Sequence, residues 1–153
     1  PLAEDCQQQQ QDHKKIKERN VFEVLINSSD QLLVEGEPMQ ISNLRESAKE
    51  FIANPENKDN LPEMTTKEIP ELGTMTVPKN HIISLQNDRG TSYEMYIHVQ
   101  NELVAAYNDL RNEVAMRKFG KKFEDLNSKR TKAIKKAYPQ VISEAEPKNI
   151  GGN

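Results

Sequence analysis

The sequence lacks tryptophan and contains one cysteine, four tyrosines and four phenylalanines among its 153 residues. With so few aromatic rings, it offers little material for stacking nucleic-acid bases. Its 21 basic and 24 acidic residues nearly balance, so the basic excess that is typical of a nucleic-acid-binding domain is absent. The single thiol, Cys6, excludes an internal disulfide, and the acidic residues before it disfavour a lipid-attachment site.

Long apolar runs are also absent. No window approaches the roughly 18 continuous apolar residues of a membrane span, and no secretion signal is visible. The chain begins at Pro1 rather than Met, which indicates a fragment, a processed form or a trimmed chain. Residues 1–19, with five consecutive glutamines, are typical of a flexible linker. Residues 148–153 are polar and Gly-rich, as expected of a flexible tail.

Residues 20–147 are predicted to form one domain. The apolar segments 21–27 and 31–37, separated by a short polar turn, predict a β-hairpin. Apolar residues at helical spacing from Ile41 to Ile52 predict a helix with Ser42 as its N-cap and Asn54-Pro55 as its end.

Residues 54–80 hold four of the eight prolines and show no sustained period. We therefore expect an extended, exposed insertion with a short strand near residues 73–77, and a binding lid is the alternative.

The second half of the chain predicts one more unit of strand, helices and strand. Residues 81–87 read as a buried strand, and a long helical pattern runs from Tyr93 to about Lys118, with Gly120 after its end. A second helix is expected over residues 121–137, and a last short strand around residues 141–142. The order β-β-α-(insertion)-β-α-α-β predicts an α+β fold, a two-layer arrangement with helices on one face of a small mixed sheet. Its last two strands would pair in parallel, and an open edge would need a partner or polar cover.

The turn Asp88-Arg89-Gly90-Thr91 is the one stretch that resembles a small active site. Thr91 and Glu94 have the spacing of a capping box, and Gly90 would supply an unusual backbone angle before it. This interpretation accounts for every residue of the turn except Arg89. The alternatives are a functional contact or a small hydrolase that uses Asp88.

Catalytic and metal-binding patterns are otherwise missing. His13, His81 and His98 have no cysteine or carboxylate at metal-ligand spacing, and no nucleophile elbow occurs, so we expect no enzyme, metal or cofactor. Segment 121–136 carries seven basic and two acidic residues. It is either a solvated helix face or a contact for an anionic surface, with these candidates: Lys121, Lys122, Lys129, Arg130 and Lys132.

Residues 19–57 resemble the start of the periplasmic domain of the ExbD/TolR family of biopolymer transport proteins, with the closest resemblance to ExbD-like members from Bacteroidetes. Residues 83–112 and 138–148 extend the resemblance. The recurrent elements of the family are a strand, an Asp in the following turn and a Tyr on the next helix, here residues 83–85, Asp88 and Tyr93. The insertion 54–80 and the helix 121–137 depart from the short members of the family.

The resemblance implies a periplasmic domain of a single-pass inner-membrane protein from a Gram-negative bacterium, with its membrane helix upstream of Pro1. Such proteins work with an ExbB/TolQ-type channel protein and drive a TonB-type partner with the proton motive force. The domain would form a homodimer and bind a partner by strand addition at Val141, Ile142 and Ser143, with Asp88, Arg89 and Tyr93 as further candidate contacts. A TolR-like association with peptidoglycan is the alternative.

Overall fold

The computed structural model describes residues 18–144, and the predicted linker and tail lie almost entirely outside that range. Its strands are β1 (Val21–Ile26), β2 (Leu32–Val34), β3 (Glu37–Pro38), β4 (Met64–Ile69), β5 (Gly73–Pro78), β6 (Ile82–Asn87) and β7 (Ile142–Glu144). Five of them form one mixed sheet in the order β3-β2-β1-β6-β7, while β4 and β5 pair only with each other. The helices are α1 (Leu44–Ala53), α2 (Tyr93–Phe119) and α3 (Ser128–Ala137). The predicted α+β class with a small mixed sheet is confirmed.

The predicted first hairpin is confirmed. Strand β1 alternates between the buried residues Phe22, Val24 and Ile26 on one face and more exposed residues on the other, as the period of two requires. Antiparallel pairing places Val24 opposite Val34. The turn closes through Asn27, whose side-chain oxygen accepts hydrogen bonds from the backbone N–H groups of residues 29 and 31.

Helix α1 ends where the sequence predicts, at Asn54, which adopts a left-handed conformation. The buried Asn54 amide also donates to the Pro62 carbonyl at 2.8 Å, so it fixes the loop that follows the helix. The predicted N-cap is wrong, because Ser42 lies inside a 3-10 turn that spans Ile41–Asn43. No side chain makes a capping hydrogen bond at the start of either the turn or α1.

Residues 54–80 were expected to be exposed, and this is wrong for the part from Met64 to Pro78. Strands β4 and β5 form a six-pair antiparallel hairpin, and only the strand near residues 73–77 was predicted. Four of its apolar residues are buried within the core: Ile69, Leu72, Met75 and Val77. The hairpin packs against α1 and α3, so its buried residues belong to the hydrophobic core of the domain.

The predicted long helix is confirmed as α2, with Gly120 in the left-handed conformation at its end. Helix α3 is shorter than predicted, because it starts only after Asn127, whose side chain caps it by accepting from the Arg130 N–H at 2.9 Å. The segment before it forms a 3-10 turn at Phe123–Asp125. Strand β6 lies between β1 and β7 in the sheet, and its parallel pairing with β7 is confirmed.

Candidate functional site

Strand β7 is the outermost strand on one side of the sheet, so Val141, Ile142 and Ser143 do reach an edge. The Val141 carbonyl accepts a hydrogen bond from the Ile83 N–H at 3.0 Å and therefore points toward β6. Backbone groups of successive residues point to opposite sides of a strand. Those of Ile142 and Glu144 consequently point outward, where a further strand can pair with them.

A buried hydrogen-bond cluster holds the start of β7. The Tyr107 hydroxyl on α2 lies 2.7 Å from Nε2 of His81 and accepts from the Val141 N–H at 3.2 Å. Burial raises the pKa of Tyr107 to about 12 and lowers the pKa of His81 to about 4. Both groups are therefore neutral near pH 7, and the phenol proton is available to the imidazole nitrogen.

Arg111, one helical turn after Tyr107, extends this cluster. Its Nε and one terminal nitrogen donate to the Tyr138 carbonyl at 3.1 and 2.9 Å, and its guanidinium lies 5.9 Å from the centre of the Phe123 ring. Burial lowers the pKa of Arg111. Two α2 side chains thus fasten the chain on the approach to β7, which strengthens an edge strand of only three residues.

The outer end of β7 is also tied to α2. Gln100 donates from Nε2 to the Glu144 carboxylate at 2.6 Å. Burial, and then a hydrogen bond with Glu144, raise the pKa of Tyr96. Helix α2 therefore runs antiparallel to β7: Gln100 lies near the end of the strand, and Tyr107 lies near the beginning of the strand.

The turn after β6 closes differently from the predicted capping box. The Thr91 hydroxyl donates to the carbonyls of Ile26 and Asn27, each at 3.1 Å, at the end of β1. The N-cap of α2 is instead Ser92, whose hydroxyl accepts from the Met95 N–H at 3.1 Å. The prediction is wrong because the carbonyl groups that end a neighbouring strand bind the threonine hydroxyl.

Gly90 is required for a reason other than the predicted backbone angle, because its φ is not in the left-handed region. A Cβ at this position would lie 2.8 Å from the Cβ of Ser28. The turn after β6 therefore touches the turn after β1, and only a residue without a side chain fits between them.

The other candidates fall in two places. Asp88 is buried in the turn, its carbonyl accepting from the Thr91 N–H at 3.0 Å, while Arg89 is exposed. Tyr93 is 78% exposed at the start of α2.

The basic candidates lie elsewhere, on and before α3. Lys129 and Arg130 make long ion pairs with Glu71 at 3.9 and 3.8 Å, and Arg130 stacks 4.2 Å from the Phe119 ring centre. Arg130 therefore takes part in the packing of α3, while Lys121, Lys122, Lys129 and Lys132 are exposed.

The sequence prediction missed Tyr107, His81 and Arg111 as residues that fasten the edge strand. The one available signal was Arg111, which interrupts an apolar stripe between Leu110 and Val114. Across residues 18–144 there is no cluster of three metal-binding side chains. No helix in that range is long and apolar enough to cross a membrane.

The chain belongs to the ExbD/TolR family of biopolymer transport proteins, because the family model matches residues 4–117, about three quarters of its length. A search of curated proteins finds no match. Members of this family are non-enzymatic transport components of the inner membrane that carry periplasmic domains. They work with ExbB/TolQ-type and TonB/TolA-type partners. The match ends at Arg117, before α3 and β7.

Gly90→Ala tests the contact between the two turns. We expect a loss of about 1–3 kcal/mol in the free energy of unfolding, because the added methyl group overlaps Ser28. Urea unfolding of Gly90→Ala, Ser28→Gly and the double variant measures the coupling. Removal of the Ser28 side chain should recover part of the loss, and strictly additive effects would contradict the proposed contact.

His81 should make the stability of the fold depend on pH. Its pKa is about 4 in the folded protein and about 6.5 in an unfolded chain, so between these values the unfolded chain binds more protons. The stability from neutral His81 is complete above pH 6.5 and is lost as the pH falls toward 4. We expect a loss of about 2–3 kcal/mol from pH 7 to pH 4.5 by urea unfolding.

His81→Gln is the control for this measurement, because Gln can keep a hydrogen bond to Tyr107 and does not titrate. Carboxylates change both proteins equally, so the difference between the two pH profiles isolates the imidazole. Parallel profiles for wild type and variant would show that His81 does not cause the loss.

Proposed function

We propose that this chain is the periplasmic domain of an ExbD-like inner-membrane protein that couples the proton motive force to a TonB-type partner for outer-membrane transport. The family match supports the general role. The outer edge of β7, which pairs with no strand of residues 18–144 and is held in place by Tyr107 and Arg111, supports the mode of partner binding. A partner segment would add to the sheet as a sixth strand through main-chain hydrogen bonds.

In the proposed assembly, an ExbB/TolQ-type channel protein would hold the membrane segment upstream of this chain. Two copies of the domain would form a homodimer in the periplasm. Proton flow would rearrange the dimer and thereby change access to the β7 edge. Asp88 and Arg89, beside the start of α2, would then support the site by shape and local charge.

A TonB-type periplasmic segment, added to the isotope-labelled 153-residue chain, should perturb the backbone amide signals of residues 141–144. Ile142→Pro should abolish this perturbation, because the Ile142 N–H points away from β6 and proline removes that donor without breaking the β6 pairing. Ser143→Ala is the matched control, since Ser143 is exposed and its backbone is unchanged. No perturbation of β7 at saturating segment would contradict the proposal.

A TolR-like role in binding peptidoglycan is the second candidate. One observation favours it: a groove of about 550 Å³ lies between the β4–β5 hairpin and the end of α3. Its charged lining residues are three lysines and one glutamate, which leave it net basic: Lys67, Lys135, Lys136 and Glu68. None of these lysines has an ion pair among those found in residues 18–144. The anionic groups of a cell-wall polymer would complement this groove.

Co-sedimentation with purified sacculi tests the second candidate. The chain should be retained at low salt, and a Lys135→Gln/Lys136→Gln variant should lose most of that retention, because exposed charges act within a Debye length of about 10 Å. Lys121→Gln/Lys122→Gln makes the same change of charge outside the groove and should be retained. Equal behaviour of both variants would count against a role for the groove.

A further inference from the structure

Helix α2 carries a second, largely apolar stripe along the flank of its core-facing side, where the side chains are only partly buried. Tyr93, Ile97, Gln100 and Val104 follow one another at the i, i+4, i+7 and i+11 positions of one helix face, and we name them the outer stripe. Tyr93 is 78% exposed, whereas Ile97 and Val104 are partly exposed. At this exposure, the Tyr93 side chain contributes little to packing within residues 18–144.

Part of the outer stripe, from Gln100 to Val104, lies level with β7, whose outer edge is not paired with any strand of residues 18–144. Its member Gln100 binds Glu144, the last residue of the strand. Further along α2 the same helix face is covered by other parts of the domain. Arg111 and Ala115 are buried there, and Arg111 lies against the Phe123 ring. Within residues 18–144, the stripe is therefore uncovered beside the outer end of β7, at Gln100 and Val104, and past the level of Glu144, at Ile97 and Tyr93.

We infer that the outer stripe binds the side chains of the segment that adds to β7, an inference that rests on the proposed function. Ile142 and Glu144 pair with the buried residues Ile83 and Leu85, so their side chains point to the helix side of the sheet. An added strand follows the same pleat. Every second side chain of the segment consequently faces α2. Side chains that pair along β7 contact Val104, and those of the part that extends beyond the level of Glu144 contact Ile97 and then Tyr93, about 10 Å further along the helix.

Charge determines the kind of segment. Glu94 and Glu144 are exposed acidic groups beside the stripe, and Gln100 holds the Glu144 carboxylate in place. The occupant is therefore an extended, basic segment with aliphatic or aromatic residues at every second position. A second copy of β7 fits poorly, since it would offer one apolar side chain, Ile142, and bring another Glu144 to an acidic site.

Two synthetic peptides test the side-chain contacts on the full 153-residue chain: Lys-Val-Thr-Val-Thr-Val-Lys and Lys-Ser-Thr-Ser-Thr-Ser-Lys. They have the same charge and length, and only the first carries apolar residues at every second position. We expect the first to bind at least about tenfold more tightly and to shift the amide signals of β7 and of the first three turns of α2. Equal affinities would overturn the inference.

Tyr93→Ser should weaken binding of the apolar peptide by about five- to tenfold, in line with the loss of one aromatic contact. Met116→Ser is the matched control, because Met116 is 53% exposed on the same helix but lies outside the stripe. Binding in Met116→Ser should equal that of wild type. Equal binding in all three proteins would overturn the inference.

The same variants separate the two proposals. If the TonB-type segment perturbs β7 equally in wild type and Tyr93→Ser, the partner binds through its backbone alone, and only the role of the stripe is wrong. If that segment perturbs no β7 amide while the apolar peptide binds with the expected dependence on Tyr93, the stripe is a docking site and the proposed partner is wrong.

Discussion

The hydroxyl group of Tyr107 joins the parts of this structure that matter most for its proposed role. It belongs to α2, lies against the imidazole that precedes β6, and accepts the N–H of the residue that precedes β7. A buried polar group without a partner is costly, so these three parts must keep their relative positions. Arg111 repeats the constraint one turn later at the Tyr138 carbonyl. A strand of three residues can therefore be an ordered edge.

The periodicity of the sequence predicts the elements well but the polar contacts between them poorly. Alternating and helical spacing located β1, β2, β6, α2 and the parallel partner of β6. Both predicted N-caps were wrong. Ser42 lies inside a 3-10 turn that precedes α1, and the Thr91 hydroxyl donates to carbonyls at the end of β1, which is distant in sequence. The role of Tyr107 depends on residues 26 and 34 positions away, which no local pattern contains.

The two segments that were predicted from sequence to depart from the short family members, residues 54–80 and 121–137, pack together. The β4–β5 hairpin contacts α3, and Glu71 in its turn pairs with Lys129 and Arg130. Exposed pairs of this kind contribute little stability, whereas the buried Ile69, Met75 and Val77 contribute much more. Sequence reasoning missed this unit because each part looks exposed when it is considered alone.

The attachment of β7 has a mechanical consequence. A segment paired with this strand and pulled along its axis would load the β6–β7 hydrogen bonds together, in shear, rather than one at a time. The side chains of Tyr107, Arg111 and Gln100 connect the two ends of the strand to one continuous helix of 27 residues. Tension at the edge would pass into that helix, and the domain would resist pulling along β7 as a rigid unit.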